Sequence, residues 1–130
     1  MSGGAAASAR LRRLQQLERI ADLHAQTARR RLAEAQGAEA AIRQSLGRLE
    51  ARRAGVLHGD PASDPAMARA TAAWLRWTEQ ERRRLLTNQA ARRAESLEVR
   101  DAAARVIARH LACRRLWERE SARIAAARRD

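Results

Sequence analysis

The 130-residue sequence contains no lysine, phenylalanine or tyrosine, one cysteine, two prolines and six glycines. Each scarcity excludes something. The lone Cys113 cannot close an intramolecular disulfide, which removes the class of small stapled domains and fits a reducing compartment. Three Trp are the only aromatics, and 32 of the apolar residues are Ala, so bulk for a conventional globular core is missing. No stretch approaches the ~18 uninterrupted apolar residues that span a bilayer. The opening Met-Ser-Gly-Gly-Ala-Ala-Ala-Ser lacks the apolar centre of a secretory signal. A cytoplasmic protein without membrane insertion is therefore expected. Catalysis finds no support either: there is no Gly-rich phosphate loop, no nucleophile elbow, and no Ser, His and Asp set that two helices could enclose. His110 and Cys113 share a helix face, yet they are two ligands where zinc takes four, or three and a water. A non-enzymatic chain with no cofactor and no metal site is the expectation.

What is present is Ala and Arg, together 59 of 130 positions, with all 27 basic residues Arg. These are strong helix formers. One interruption stands out, His58-Gly59-Asp60-Pro61-Ala62-Ser63-Asp64-Pro65. Gly59 suits the left-handed residue that ends a helix, and Asp64 before Pro65 suits an N-cap followed by a first-turn proline. The reading is all-α: a flexible tail over 1–8, a first helix over about 9–57, a turn over 58–64 and a second helix over about 65–128. Helices of that length fold back as a long two-helix antiparallel coiled-coil hairpin.

Steps of three and four from Leu11 pass through Leu14, Glu18, Ala21, Ala25, Ala28, Leu32, Ala35, Glu39, Ile42, Leu46, Leu49, Arg53 and Val56, and eleven of these fourteen positions are apolar. The second helix keeps the step less regularly: Met67, Ala70, Trp74 and Trp77, then Leu86, Ala90, Ala94 and Leu97 after a break, then Ala104, Ile107 and Leu111, with Cys113 and Trp117 in a shifted register. A turn centred near residue 61 makes facing numbers sum to roughly 122. That sets Trp77 against Ser45 and Gly47, a large side chain against small ones, and Leu111 against Leu11. The Ala seam contributes little burial, so modest stability is expected. The longer second helix should project beyond the first around Trp117 to Arg129, either as a docking surface with Leu116, Trp117 and Ile124 or as a frayed, solvated end.

The net charge of +12 is shared evenly along the chain, with residues 1–59 and residues 60–130 each at +6. The Arg clusters read either as an ion-paired exterior, with Glu39–Arg43, Glu79–Arg83 and Asp101–Arg105 at helical spacing, or as a surface for an acidic partner. Trp74 and Trp77, three residues apart, either close the core near the turn or form a binding hot spot among Arg. Nucleic-acid association and a self-assembling four-helix scaffold are the alternatives to a protein partner.

Leu11-Arg-Arg-Leu-Gln-Gln-Leu-Glu-Arg-Ile, continuing through Ala28-Arg-Arg-Arg-Leu-Ala-Glu-Ala, with the later Arg114-Arg-Leu-Trp-Glu-Arg-Glu, resembles the FliJ/YscO-like proteins of flagellar and virulence-type type III export apparatus. The likeness runs over nearly the whole chain, through its length and its single central break. It implies a non-enzymatic stalk and escort whose partners are an export ATPase, an export gate membrane protein and substrate chaperones. On that resemblance, Arg12, Arg13, Leu14, Arg114, Arg115, Leu116 and Trp117 would engage the ATPase ring, and Trp74 and Trp77 would face the gate.

Overall fold

A computed structural model describes residues 2–61 and 63–130. The chain is an all-α helical hairpin of two helices, α1 (Ser2–Leu57) and α2 (Pro65–Arg129). It divides into two compact units. The terminal unit joins Met1–Ala33 to Glu98–Asp130, and the turn unit comprises Glu34–Leu97. Residues 3–8, expected as a tail, are the first turns of α1: Ala5, Ala6 and Ala7 are the strongest helix formers available and carry the helix through Gly3 and Gly4.

The link between the helices is closed by its own chemistry. Asp64 caps α2, accepting a hydrogen bond from the Ala66 amide on its side chain (3.0 Å) and from the Ala68 amide on its carbonyl (2.9 Å), as an N-cap before Pro65 should. α1 ends with the His58 amide donating to the Ala54 carbonyl (2.9 Å) and the Gly59 amide to Val56 (3.4 Å). Gly59 does not take the left-handed conformation expected of it, since no described glycine has positive φ. Its small size serves a different end: a Cβ there would lie 3.2 Å from the Gly55 carbonyl oxygen.

Along α1 the stepped positions from Leu11 to Arg53 are all at least partly shielded, including the three charged ones, Glu18, Glu39 and Arg53; only Val56, at 40% exposure, falls outside. Along α2 the expected positions are mostly wrong by one residue. Met67, Ala70, Trp77, Leu86, Ala90, Ala94, Leu97, Ala104 and Leu111 are exposed. Most of the shielded residues instead follow one alternation of four and three: Thr71, Leu75, Thr78, Arg82, Leu85, Gln89, then Ser96, Val99, Ala103, Val106, His110, Cys113, Trp117, Glu120 and Ile124, with Arg92 alone exposed; Trp74, Glu79, Glu81, Ile107 and Ser121 are shielded beside it. Cys113 and Trp117 thus belong to the principal register. Following apolar residues misled because this seam is polar at half its steps.

The core is correspondingly small. Ala25, Leu46 and Ala103 are its buried apolar side chains, outnumbered by Glu39, Thr78, Ser96 and His110. Cross-helix partners set the register. In the terminal unit Glu18 meets His110 and Arg10 meets Glu120; in the turn unit Glu39 meets Arg93, and Arg53 meets Glu79. Their numbers add to between 128 and 132, about one heptad beyond the expected 122. The cause is the link. Asp60 and Asp64 each precede a proline, which disfavours helical backbone before it, and residues 65–70 of α2 are all exposed, so that its seam starts only at Thr71. Two turns of α2 are spent before pairing begins. At the other end the difference is absorbed: Arg10 reaches Glu120 at 3.6 Å and Ile124 is shielded, so the stretch from Trp117 does not project as expected.

Candidate functional site

In the turn unit the two neighbouring tryptophans separate. Trp74 is half-buried on the side of α2 that meets Val56, Ala70 and Thr71, close to the link. Trp77 is 55% exposed and forms one wall of a shallow groove with Ser45, Arg48, Leu49, Arg52, Glu81 and Arg84. Each stands one residue before a seam position, Leu75 for Trp74 and Thr78 for Trp77, and the Thr78 hydroxyl bonds back to the Leu75 carbonyl (2.8 Å). Ser45 does lie beside Trp77, but Gly47 makes no room for the indole, because a Cβ on Gly47 would meet nothing within 4 Å. An amphipathic indole lying open among guanidinium groups has the composition of an interface anchor.

Charge in this unit is largely spoken for. Arg53 and Arg83 hold Glu79, Arg82 bridges Glu79 and Glu50, and Arg84 holds Glu81. The hydrogen bond from Arg53 is the main cause that holds the Glu79 carboxyl below its ordinary value, and Arg84 does the same for Glu81. Glu39, buried in the seam, accepts from Arg43 at 3.1 Å and from Arg93 at 3.2 Å. Two of the three helical ion pairs expected from spacing are present, Glu39–Arg43 and Glu79–Arg83; Asp101 and Arg105 are not within ion-pair distance.

The terminal unit holds the remaining candidates, and it distributes them around its surface. Leu14 and Trp117 are seam residues, partly shielded, while Arg12, Arg13, Arg114, Arg115 and Leu116 are exposed. Trp117 lines a groove with Gln15, Glu18, Arg19, Asp22 and His110. His110 is buried, its Nε2 2.9 Å from Glu18 Oε1 and 3.7 Å from Asp22 Oδ1, while its Nδ1 is enclosed without a partner. Beyond it Arg123 and Arg10 converge on Glu120, and the Arg123 hydrogen bond chiefly lowers that carboxyl's pKa. Among the described residues no group of three or more His, Cys, Asp or Glu is gathered as metal ligands, and no helix is long and apolar enough to cross a membrane.

Two features of this unit escaped sequence reasoning. Leu17, Ile20 and Leu23 are 53%, 52% and 60% exposed; with Leu57 in the turn unit they are the bulky apolar residues of α1 that the stepped pattern leaves over, a signal legible in the sequence. The second is charge. The terminal unit carries sixteen arginines against seven acids, hence +9, and the turn unit eleven against eight, hence +3. Dividing the chain at its midpoint hides this, because the terminal unit is assembled from both ends. Compared with protein-family models, with curated proteins and with solved structures, the chain matches none of them.

Proposed function

We propose that this chain is a non-enzymatic helical stalk and escort of a flagellar or type III protein export apparatus, engaging the export ATPase ring, the export gate and substrate chaperones. The observation that carries the reading is the concentration of positive charge, +9, on the unit that contains both chain ends. A basic helical hairpin of that kind suits the carboxylate-lined interior of a ring, since guanidinium groups pair bidentately with carboxylates. The exposed Arg12, Arg13, Arg114, Arg115 and Leu116 supply the contact, and the exposed Trp77, with the half-buried Trp74 three residues before it, supplies a separate anchor for the gate. The ATPase performs the chemistry. Adding the purified protein to the export ATPase of the same genome should raise ATP turnover or hexamer formation. Unchanged turnover and assembly, together with failure to co-purify, would overturn the proposal.

The same charge favours one other reading, sequence-tolerant binding of nucleic acid. Its affinity would fall by orders of magnitude between about 50 and 200 mM salt. No mobility shift of DNA or RNA at low salt removes it.

A further inference from the structure

We infer that one side of the terminal unit is a docking groove for an acidic amphipathic helix. The inference goes beyond the export reading and does not rest on it, because the occupant is defined by its chemistry alone. The groove, of about 340 Å³, lies between the helices with His24, Thr27 and Arg31 on α1 and Val99, Ala102 and Val106 on α2. On helices whose shielded residues recur every seven, positions seven apart share a side. Leu17 stands seven before His24, Ile20 seven before Thr27, and Leu116 fourteen after Ala102. These three exposed side chains, 53%, 52% and 49%, therefore extend the groove's apolar lining along the same side. The opposite side of the seam carries Gln15, Arg19, Asp22 and Arg114 instead.

The charge on that side is predominantly positive. Arg13 stands seven before Ile20, Arg109 seven after Ala102, Arg31 lines the groove itself, and Arg105 follows Ala102 by three. Among the described residues none of the four has a carboxylate within ion-pair distance, whereas Arg10, Arg114 and Arg123 do. Within the helices of this unit Glu98 is the single acid at equivalent positions, while Glu34, seven after Thr27, and Glu95, seven before Ala102, belong to the turn unit. An apolar stripe bordered by unpaired arginines is complementary to a helix with Leu on one face and Glu or Asp beside it. The floor of Ala and Val admits such a helix at ordinary packing distance, about 8–10 Å between axes. A second copy presenting the same side would set Arg against Arg. A lipid surface, being flat, would reach the stripe but not the groove.

The test uses the full chain and a fluorescent synthetic peptide of about 21 residues, with Leu at helical spacing of three and four and Glu elsewhere. Binding should be saturable, one peptide per chain, and weakened by salt. I20D and L116D should each weaken it by about tenfold or more, while L23D, which adds the same charge on the side of α1 away from the seam, should change it less than about twofold. Helix content by circular dichroism should be the same in all three variants, because every substituted residue is exposed. The inference is overturned by no binding, by equal loss in L23D, or by equal binding of a peptide with Lys in place of Glu. It is overturned equally by association confined to phosphatidylglycerol vesicles, or by a concentration-dependent dimer that I20D abolishes.

Discussion

Glu39 is a charged side chain at a seam position, 9% exposed, whereas its two partners Arg43 and Arg93 are 61% and 64% exposed. Removing it strands no buried charge, since both guanidinium groups can return to water. Burying a carboxylate costs free energy that such pairs rarely recover in full, and a leucine there would add apolar burial beside Ile42 and Leu46. E39L should therefore leave stability unchanged or raise it by up to about 2 kcal/mol in urea denaturation; a loss above about 1 kcal/mol would mean that the carboxylate is a net stabiliser. The two tryptophans make the opposite contrast. W74A removes a half-buried indole beside Val56 and should cost roughly 1–2 kcal/mol, about half the value for a fully buried aromatic. W77A removes an exposed one and should cost under about 0.5 kcal/mol. If W77A weakens binding to the export gate without moving the melting curve, Trp77 is an anchor; equal destabilisation by both would return the pair to the core.

At the scale of the helix, α1 was legible and α2 was not, for a physical reason. In α1 ten of the thirteen seam positions from Leu11 to Arg53 are apolar, so the step of three and four shows itself, and Glu18, Glu39 and Arg53 fall into place by spacing alone. In α2 the seam contains Thr71, Thr78, Arg82, Gln89, Ser96, His110 and Glu120, while Met67, Trp77, Leu86, Leu97 and Leu111 lie outside. Apolar periodicity reads burial only where burial is apolar. This seam is joined largely by cross-helix pairs, which need both helices to be seen. The pairing offset was hidden for a related reason: an N-cap can be recognised at Asp64, but not the number of α2 residues that precede the first contact. Glycines in the helices offer a direct test of local energetics. Gly37 and Gly47 sit inside α1, and a Cβ on either would meet nothing within 4 Å. Alanine there reduces the freedom of the unfolded chain and clashes with nothing, so G37A and G47A should each stabilise by about 0.5–1 kcal/mol. G59A should give no such gain, because its Cβ would press on the Gly55 carbonyl. A loss of stability in G47A would indicate that the indole of Trp77 does pack against it.

For the molecule as a whole, stability has to come from somewhere other than a core of Ala25, Leu46 and Ala103. Helix propensity supplies part of it, and the cross-helix ion pairs the rest that is specific to this register. That division has a consequence in pH. Glu79 is held below the ordinary carboxylate value of 4.5 chiefly by Arg53 across the helices, and Glu81 and Glu120 chiefly by Arg84 and Arg123 one turn away on α2 itself. A lowered pKa in the folded state means that the contribution is fully present above the unfolded value and is lost as pH falls through the folded one. Protonation also exposes the charge imbalance: with its fifteen acids neutral, the chain retains 27 Arg and three His, and self-repulsion grows. The melting temperature should hold steady from pH 7 to about 5 and then fall steeply below about 4.5. Two effects contribute to that fall, and salt separates them. Added salt at pH 3 screens the repulsion among arginines but cannot restore a carboxylate that is protonated, so recovery should be partial. The terminal unit, at +9 against +3, should lose amide protection first in hydrogen exchange as acid is added. A melting temperature that stays level down to pH 3 would show that the ion pairs contribute nothing, and that the seam is held by its few apolar residues and by helix propensity alone.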